Sequence, residues 1–167
     1  YNHLVLLAKN EKGFQNILKL LSDANVEGFY YKPRTDLSML SKYNEGIVCL
    51  SACVAGSIPK LILESRFNGA RKEIRLMKEI YGDDFYLEIQ PNELPIQKVV
   101  NKELVILSQE LSVPLVATND CHYIWEEDYK AHEVLLLIQQ KKTWEDVKKI
   151  KETNLKNWGT ENVFQSE

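Results

Sequence analysis

FYLEIQPNELPIQKVVNKELVILSQELSVPLVA, residues 85–117, contains a complete strand–helix–strand unit. FYLEI (85–89) is a short, nearly continuous apolar run, the pattern of a strand buried on both faces. Pro95 suits the first turn of a helix, because its missing N–H has no partner there in any case. Ile96, Val99, Val100, Leu104, Leu107 and Leu111 then recur at helical spacing and mark an inner face. Pro114 precedes LVA (115–117), the next strand. A strand joined through a helix to another strand implies parallel pairing with a helical crossover.

The alternation extends outward from this unit. HLVLLA (3–8) and IVCL (47–50) read as two further buried strands. Between them Phe14, Ile17, Leu18, Leu21 and Ala24 recur at helical spacing. Gly28 and Pro33 break that pattern, and residues 36–43 form a second, short helical stretch. Phe67, Ala70, Ile74, Met77 and Ile80 mark one face of a long helix that Gly82 stops. Ala131, Val134, Leu135 and Ile138 place a final helix near the end, and residues 148–167 read as a loosely packed extension. The expected class is α/β with mainly parallel strands, long enough for half of a closed barrel or for an open sheet.

The 167 residues suit one domain with its own core. No run approaches the roughly 20 apolar residues that span a bilayer. Residues 1–4 (YNHL) lack the basic start of a signal peptide. The chain begins with Tyr1 and not methionine, and is read as an excised segment. Three cysteines, an odd number, argue against a secreted disulfide framework and fit a reducing cytoplasm. A net charge of −3 excludes bulk electrostatic coating of nucleic acid.

In parallel α/β folds ligands collect at the carboxyl ends of the strands. After the second strand comes Ser51-Ala52-Cys53, and after the fourth Thr118-Asn119-Asp120-Cys121-His122-Tyr123. In extended backbone Asp120 and His122, two apart, share a face. A carboxylate and an imidazole there suit zinc, manganese or iron. The competing reading makes Asp120 a helix cap and His122 a packed surface residue. Cys53 lies beyond its strand, where a thiolate reaches a metal, whereas Cys49 inside the strand reads as a small buried hydrophobe. His3 stands at the amino end of its run and reads as structural, and His132 is assigned to packing or capping. Residues 27–34 (EGFYYKPR) would either present Lys32 and Arg34 to a phosphate or pack as an aromatic loop over the domain.

HLVLLAKN (3–10), EGFYYKPR (27–34), LSACVAGSIPKLIL (50–63), DDFYLEIQ (83–90), VATNDCHY (116–123) and AHEVLLLIQQKKTWED (131–146) occur in that order. Together they resemble consecutive blocks of the PHP domain (the polymerase and histidinol phosphatase domain) of bacterial DNA polymerase III alpha subunits. The resemblance implies that residues 1–147 are the carboxyl-terminal portion of a distorted, seven-stranded, TIM-like β/α barrel. Residues 148–167 would then lead toward the polymerase core. It also implies a metal cluster, zinc or manganese, with ligands at His3, Cys53, Asp120 and His122, and so turns His3 from a structural residue into a ligand. Arg34 becomes a candidate phosphate-facing residue. The family's His-x-His motif and the His and Glu ligands that follow it are absent from this chain, so about half of the site would be present.

The implied function is that of a replicative DNA polymerase, with magnesium bound outside this segment. The implied partners are DNA, a proofreading exonuclease and a sliding clamp, with no membrane. Two readings of the segment follow. One is metal-dependent removal of 3′-terminal nucleotides in the parent protein, with the isolated segment inactive. The other is a structural module that docks the exonuclease. A free-standing phosphoesterase of the histidinol phosphatase type is disfavoured, because it needs no polymerase-like blocks.

Overall fold

The computed structural model describes residues 1–92 and 94–158, with side chains through residue 152. It divides into two compact units, Tyr1–Asp120 and Cys121–Glu167.

The first unit is a four-stranded sheet flanked by helices. Its strands are β1 (Val5–Ala8), β2 (Ile47–Leu50), β3 (Phe85–Ile89) and β4 (Leu115–Ala117), adjacent in chain order. Helices α1 (Glu11–Val26) and α2 (Leu37–Lys42) lie between β1 and β2. Helices α3 (Ser57–Leu63) and α4 (Phe67–Tyr81) lie between β2 and β3, and α5 (Pro95–Leu111) between β3 and β4.

β2 pairs with β3, and β3 with β4, in parallel, as the crossovers require. β1 departs from the parallel expectation: it runs antiparallel to β2, with Val5 opposite Leu50 and Ala8 opposite Ile47. The connection is an out-and-back path. Lys9 N donates to Gly46 O (2.8 Å), so β1 leaves the sheet where β2 begins. The path through α1 and α2 thus leaves β1 and enters β2 at the same end of the sheet, Ala8 standing opposite Ile47.

α1 forms where expected, capped by Asn10, whose Oδ1 accepts from Gly13 N (3.0 Å). Its buried edge differs from the apolar list. Gly13, Asn16, Leu20 and Ala24 are buried, whereas Phe14, Leu18 and Leu21 are exposed. The tight approach at Gly13 decides this. A Cβ there would lie 1.8 Å from Gly46 O, and Asn16 Nδ2 donates to Glu45 O (2.9 Å). The glycine side of α1 therefore faces the turn into β2. Gly13→Ala should destabilise the unit by about 1–3 kcal/mol, since a methyl group meets backbone that cannot rotate away; urea denaturation checks this.

The core joins the sheet to α3, α4 and α5 and takes in Leu20 of α1 and Leu40 of α2. Cys49, Phe85, Leu87, Ala70, Ile74, Val100 and Leu104 are fully buried in it. α4 buries Ala70, Ile74 and Met77 as the spacing predicts, and α5 buries Val100, Leu104 and Leu107. Val99, assigned to the inner face of α5, is exposed, and Gln97 takes that side instead. Helix α3 was not marked by the sequence reading.

The second unit contains α6 (Tyr129–Gln140) and α7 (Trp144–Trp158). α6 buries Leu137, while Val134, Leu135 and Ile138, the residues that marked it, are exposed. Leu137 packs with Val147 and Ile150 of α7. Thr143 and Asp146 form a reciprocal cap at the start of α7: Thr143 N donates to Asp146 Oδ2 (2.8 Å), and Asp146 N to Thr143 Oγ1 (3.3 Å). The expected break at 147/148 falls inside this helix, and the expected extension lies outside the described residues from position 159 on. Among the described residues no helix is long and apolar enough to cross a membrane.

Candidate metal centre

The direction of β1 determines what meets at the sheet end. Because β1 is antiparallel to β2, its amino end lies beside the carboxyl end of β2. His3 is therefore brought next to the segment that follows β2. His3 N donates to Ala55 O (3.1 Å), and its Nδ1 lies 3.8 Å from Cys53 Sγ. Two residues 50 apart in sequence become neighbours at the end where ligands of parallel sheets collect.

The segment after β2 turns sharply. Ala52 has φ +64°, in the left-handed region, and Gly56 N donates to Cys53 O (2.8 Å). Gly56 fits only without a side chain, since a Cβ would lie 2.3 Å from Ser51 O. This turn carries Cys53 back beside His3. Burial is the main cause that pushes the Cys53 thiol above its ordinary range; the negative charges of Asp120 and Glu88 push the same way, and a hydrogen bond with the Ala55 backbone opposes them. A nearby cation would reverse that balance, because it favours the thiolate. Cys49 is inert by contrast: burial pushes its thiol up to about 12.

Asp120 closes the first unit, three residues past the end of β4. Its φ of +52° places it in the left-handed region, so the extended geometry assumed for Asp120 and His122 does not hold at this residue. His122 belongs to the second unit. There its ring centroid lies 5.7 Å from that of His132, and Tyr123 lies 5.4 Å from the same ring. The residue assigned to packing, His132, thus sits in a ring cluster with an expected ligand.

Arg34 and Lys32 are engaged with tyrosines. The Arg34 guanidinium lies 4.7 Å from the Tyr30 ring and 5.6 Å from the Tyr1 ring, and Lys32 Nζ lies 5.5 Å from the Tyr1 ring. Tyr1, Lys32, Arg34 and His3 line a cavity of about 510 Å³. Phe29, Tyr30 and Tyr31 are exposed, so the tract does not pack as an aromatic cover over the domain, and Lys32 and Arg34 stand beside a concavity.

Glu88, in β3, escaped the sequence reading. Its side chain is buried, and its Oε1 accepts from Thr118 Oγ1 and from Gln90 Nε2 (3.3 Å). A glutamate inside an otherwise apolar run was the signal available for it.

Among the described residues no three His, Cys, Asp or Glu side chains converge to enclose an ion. The donor chemistry of the pair that does meet is nevertheless appropriate. Zn–N and Zn–S bonds of about 2.05 and 2.3 Å at a tetrahedral angle separate nitrogen and sulfur by about 3.6 Å. The observed 3.8 Å fits two vertices of such a site.

The PHP domain family matches residues 1–92. DNA polymerase III subunit alpha of Borreliella burgdorferi is 52% identical over 136 residues, covering 81% of this chain and 12% of the relative. The Aquifex aeolicus subunit is 44% identical over 144 residues, covering 86% and 12%. That of Thermus aquaticus is 45% identical over 146 residues, covering 87% and 12%. The chain spans about an eighth of the length of these relatives. With the family matched over more than half its length, and its α/β sheet carrying donor residues at the strand ends, this chain belongs to the PHP domain family.

Proposed function

We propose that the chain is a segment of a bacterial DNA polymerase III alpha subunit and contributes donors to a divalent-cation site of that longer protein. The approach of His3 to Cys53 carries the reading, because the fold brings an imidazole and a thiol together at the strand ends. Asp120 would add a carboxylate and His122 a second imidazole. Further ligands would come from the rest of the protein.

The cation would be zinc or manganese, and when bound it would supply Lewis acidity toward a phosphodiester. The roles of this chain's own residues follow from their placement. His3 Nδ1 and Cys53 Sγ would hold the ion from two sides. The turn at Ala52 sets the position of Cys53. Arg34 and Lys32 would draw a DNA phosphate toward the cavity they line. The reaction would be removal of 3′-terminal nucleotides, accessory to DNA synthesis by the polymerase site elsewhere in the subunit with magnesium. The longer protein would work in the cytoplasm with DNA, a proofreading exonuclease and a sliding clamp.

One observation favours a second reading. Phe14, Leu18 and Leu21 form an exposed apolar row on α1. Such a row suits a structural module that packs against other parts of the replicase. Metal analysis separates the two. Elemental content of the full-length subunit should show bound zinc or manganese that disappears in the Asp120→Ala, His122→Ala double variant. A folded, metal-free wild type would remove the cation reading and leave the structural one.

A further inference from the structure

β3 is the middle strand of the parallel set, with β2 on one side and β4 on the other. Glu88 lies near its carboxyl end and is only 4% exposed. Its backbone N donates to Ser51 Oγ (2.8 Å), and Ser51 itself is buried two residues before Cys53. Its carboxylate accepts from Thr118, two residues before Asp120. One residue thus fastens both segments that carry expected ligands.

The second carboxylate oxygen is the unexplained feature. Glu88 Oε2 is buried and has no hydrogen-bond partner among the described residues. A carboxylate oxygen taken out of water without a partner is costly, and such groups persist where a cation or a bound water answers them. Cys53 and Asp120 are the donor residues of the two segments that Glu88 joins.

We propose that Glu88 is a positioning residue of the cation site: it ties the segment after β2 to the segment after β4 and buries a carboxylate between them. The inference rests on the reading of this strand end as a cation site. It adds a residue that acts through the ligands and not as one of them.

The test is a calorimetric zinc titration of the metal-depleted full-length subunit, wild type against Glu88→Gln, with thermal melts of the metal-free proteins. Glutamine keeps the shape and the oxygen that accepts from Thr118, and removes the charge. Zinc affinity should fall by about 10–100-fold, the range for lost supporting groups around a metal. The melting temperature of the metal-free protein should not fall, and Glu88→Asp should recover part of the affinity. Unchanged zinc affinity in a folded Glu88→Gln protein, with Asp120→Ala still abolishing binding, overturns the role of Glu88 and leaves the cation site standing. A folded wild type that binds no zinc overturns both. Should Glu88→Gln fail to fold, Thr118→Val decides. It keeps the carboxylate and cuts the tie to the segment after β4, so affinity should fall by about 10-fold; unchanged affinity overturns the proposal.

Discussion

Replacing Cys53 by serine should weaken zinc binding by the full-length protein by more than about 100-fold, beyond the roughly 10–100-fold cost of losing a supporting group around a metal. The thiol and the His3 imidazole form the donor pair that the fold brings together. A hydroxyl is a far poorer ligand for zinc than a thiolate. Cobalt substitution gives the direct readout. Wild type loaded with cobalt should show the near-ultraviolet charge-transfer band of a metal–thiolate bond, and Cys53→Ser should not. Cys49→Ser is the control, because Cys49 is fully buried within β2, where burial holds its thiol protonated. A cobalt band that survives in Cys53→Ser and vanishes in Cys49→Ser would exclude Cys53 as the ligand.

The largest stability effect should come from Phe85→Ala. Phe85 is 0% exposed, at the start of β3 and in register with Cys49 of β2. Truncating such a ring typically costs about 3–5 kcal/mol, transfer and cavity together. Set against a typical domain stability of about 5–15 kcal/mol, that leaves little folded protein in moderate denaturant. Phe14→Ala is the matched comparison. Phe14 is 50% exposed on α1, and its loss should change stability by no more than about 0.5 kcal/mol. Urea denaturation of the two variants tests the orientation of α1 as well as the core. Equal losses would mean that the row Phe14, Leu18 and Leu21, and not the edge through Gly13 and Leu20, faces the core.

These two expectations differ in how far they were legible before folding. The strand character of 85–89 and the helix begun by Pro95 follow from local pattern and backbone restriction, both properties of adjacent residues. α3 has no side-chain cap, whereas α7 has a local signal that the apolar spacing does not report. For α7 it was the Thr143–Asp146 pair, a capping arrangement that the structure forms. The inner edges of α1 and α6 were misjudged for a different reason. Both helices carry apolar residues on more than one side, and the side that faces inward depends on what it meets.

Local pattern specifies the strand–helix alternation, the cysteine environment within β2 and the donor types available at Cys53, Asp120 and His122. The sequence also carries the blocks that mark the family, matched over residues 1–92. The remaining features arise from long-range pairing. The reversal of β1 depends on the length and path of the whole connection through α1 and α2, and that reversal is what sets His3 beside Cys53. The left-handed backbone at Asp120 and the burial of Glu88 likewise depend on neighbours distant in sequence. Periodicity reports on residues a few positions apart; the approach of His3 to Cys53 is a property of how β1 and β2 pair.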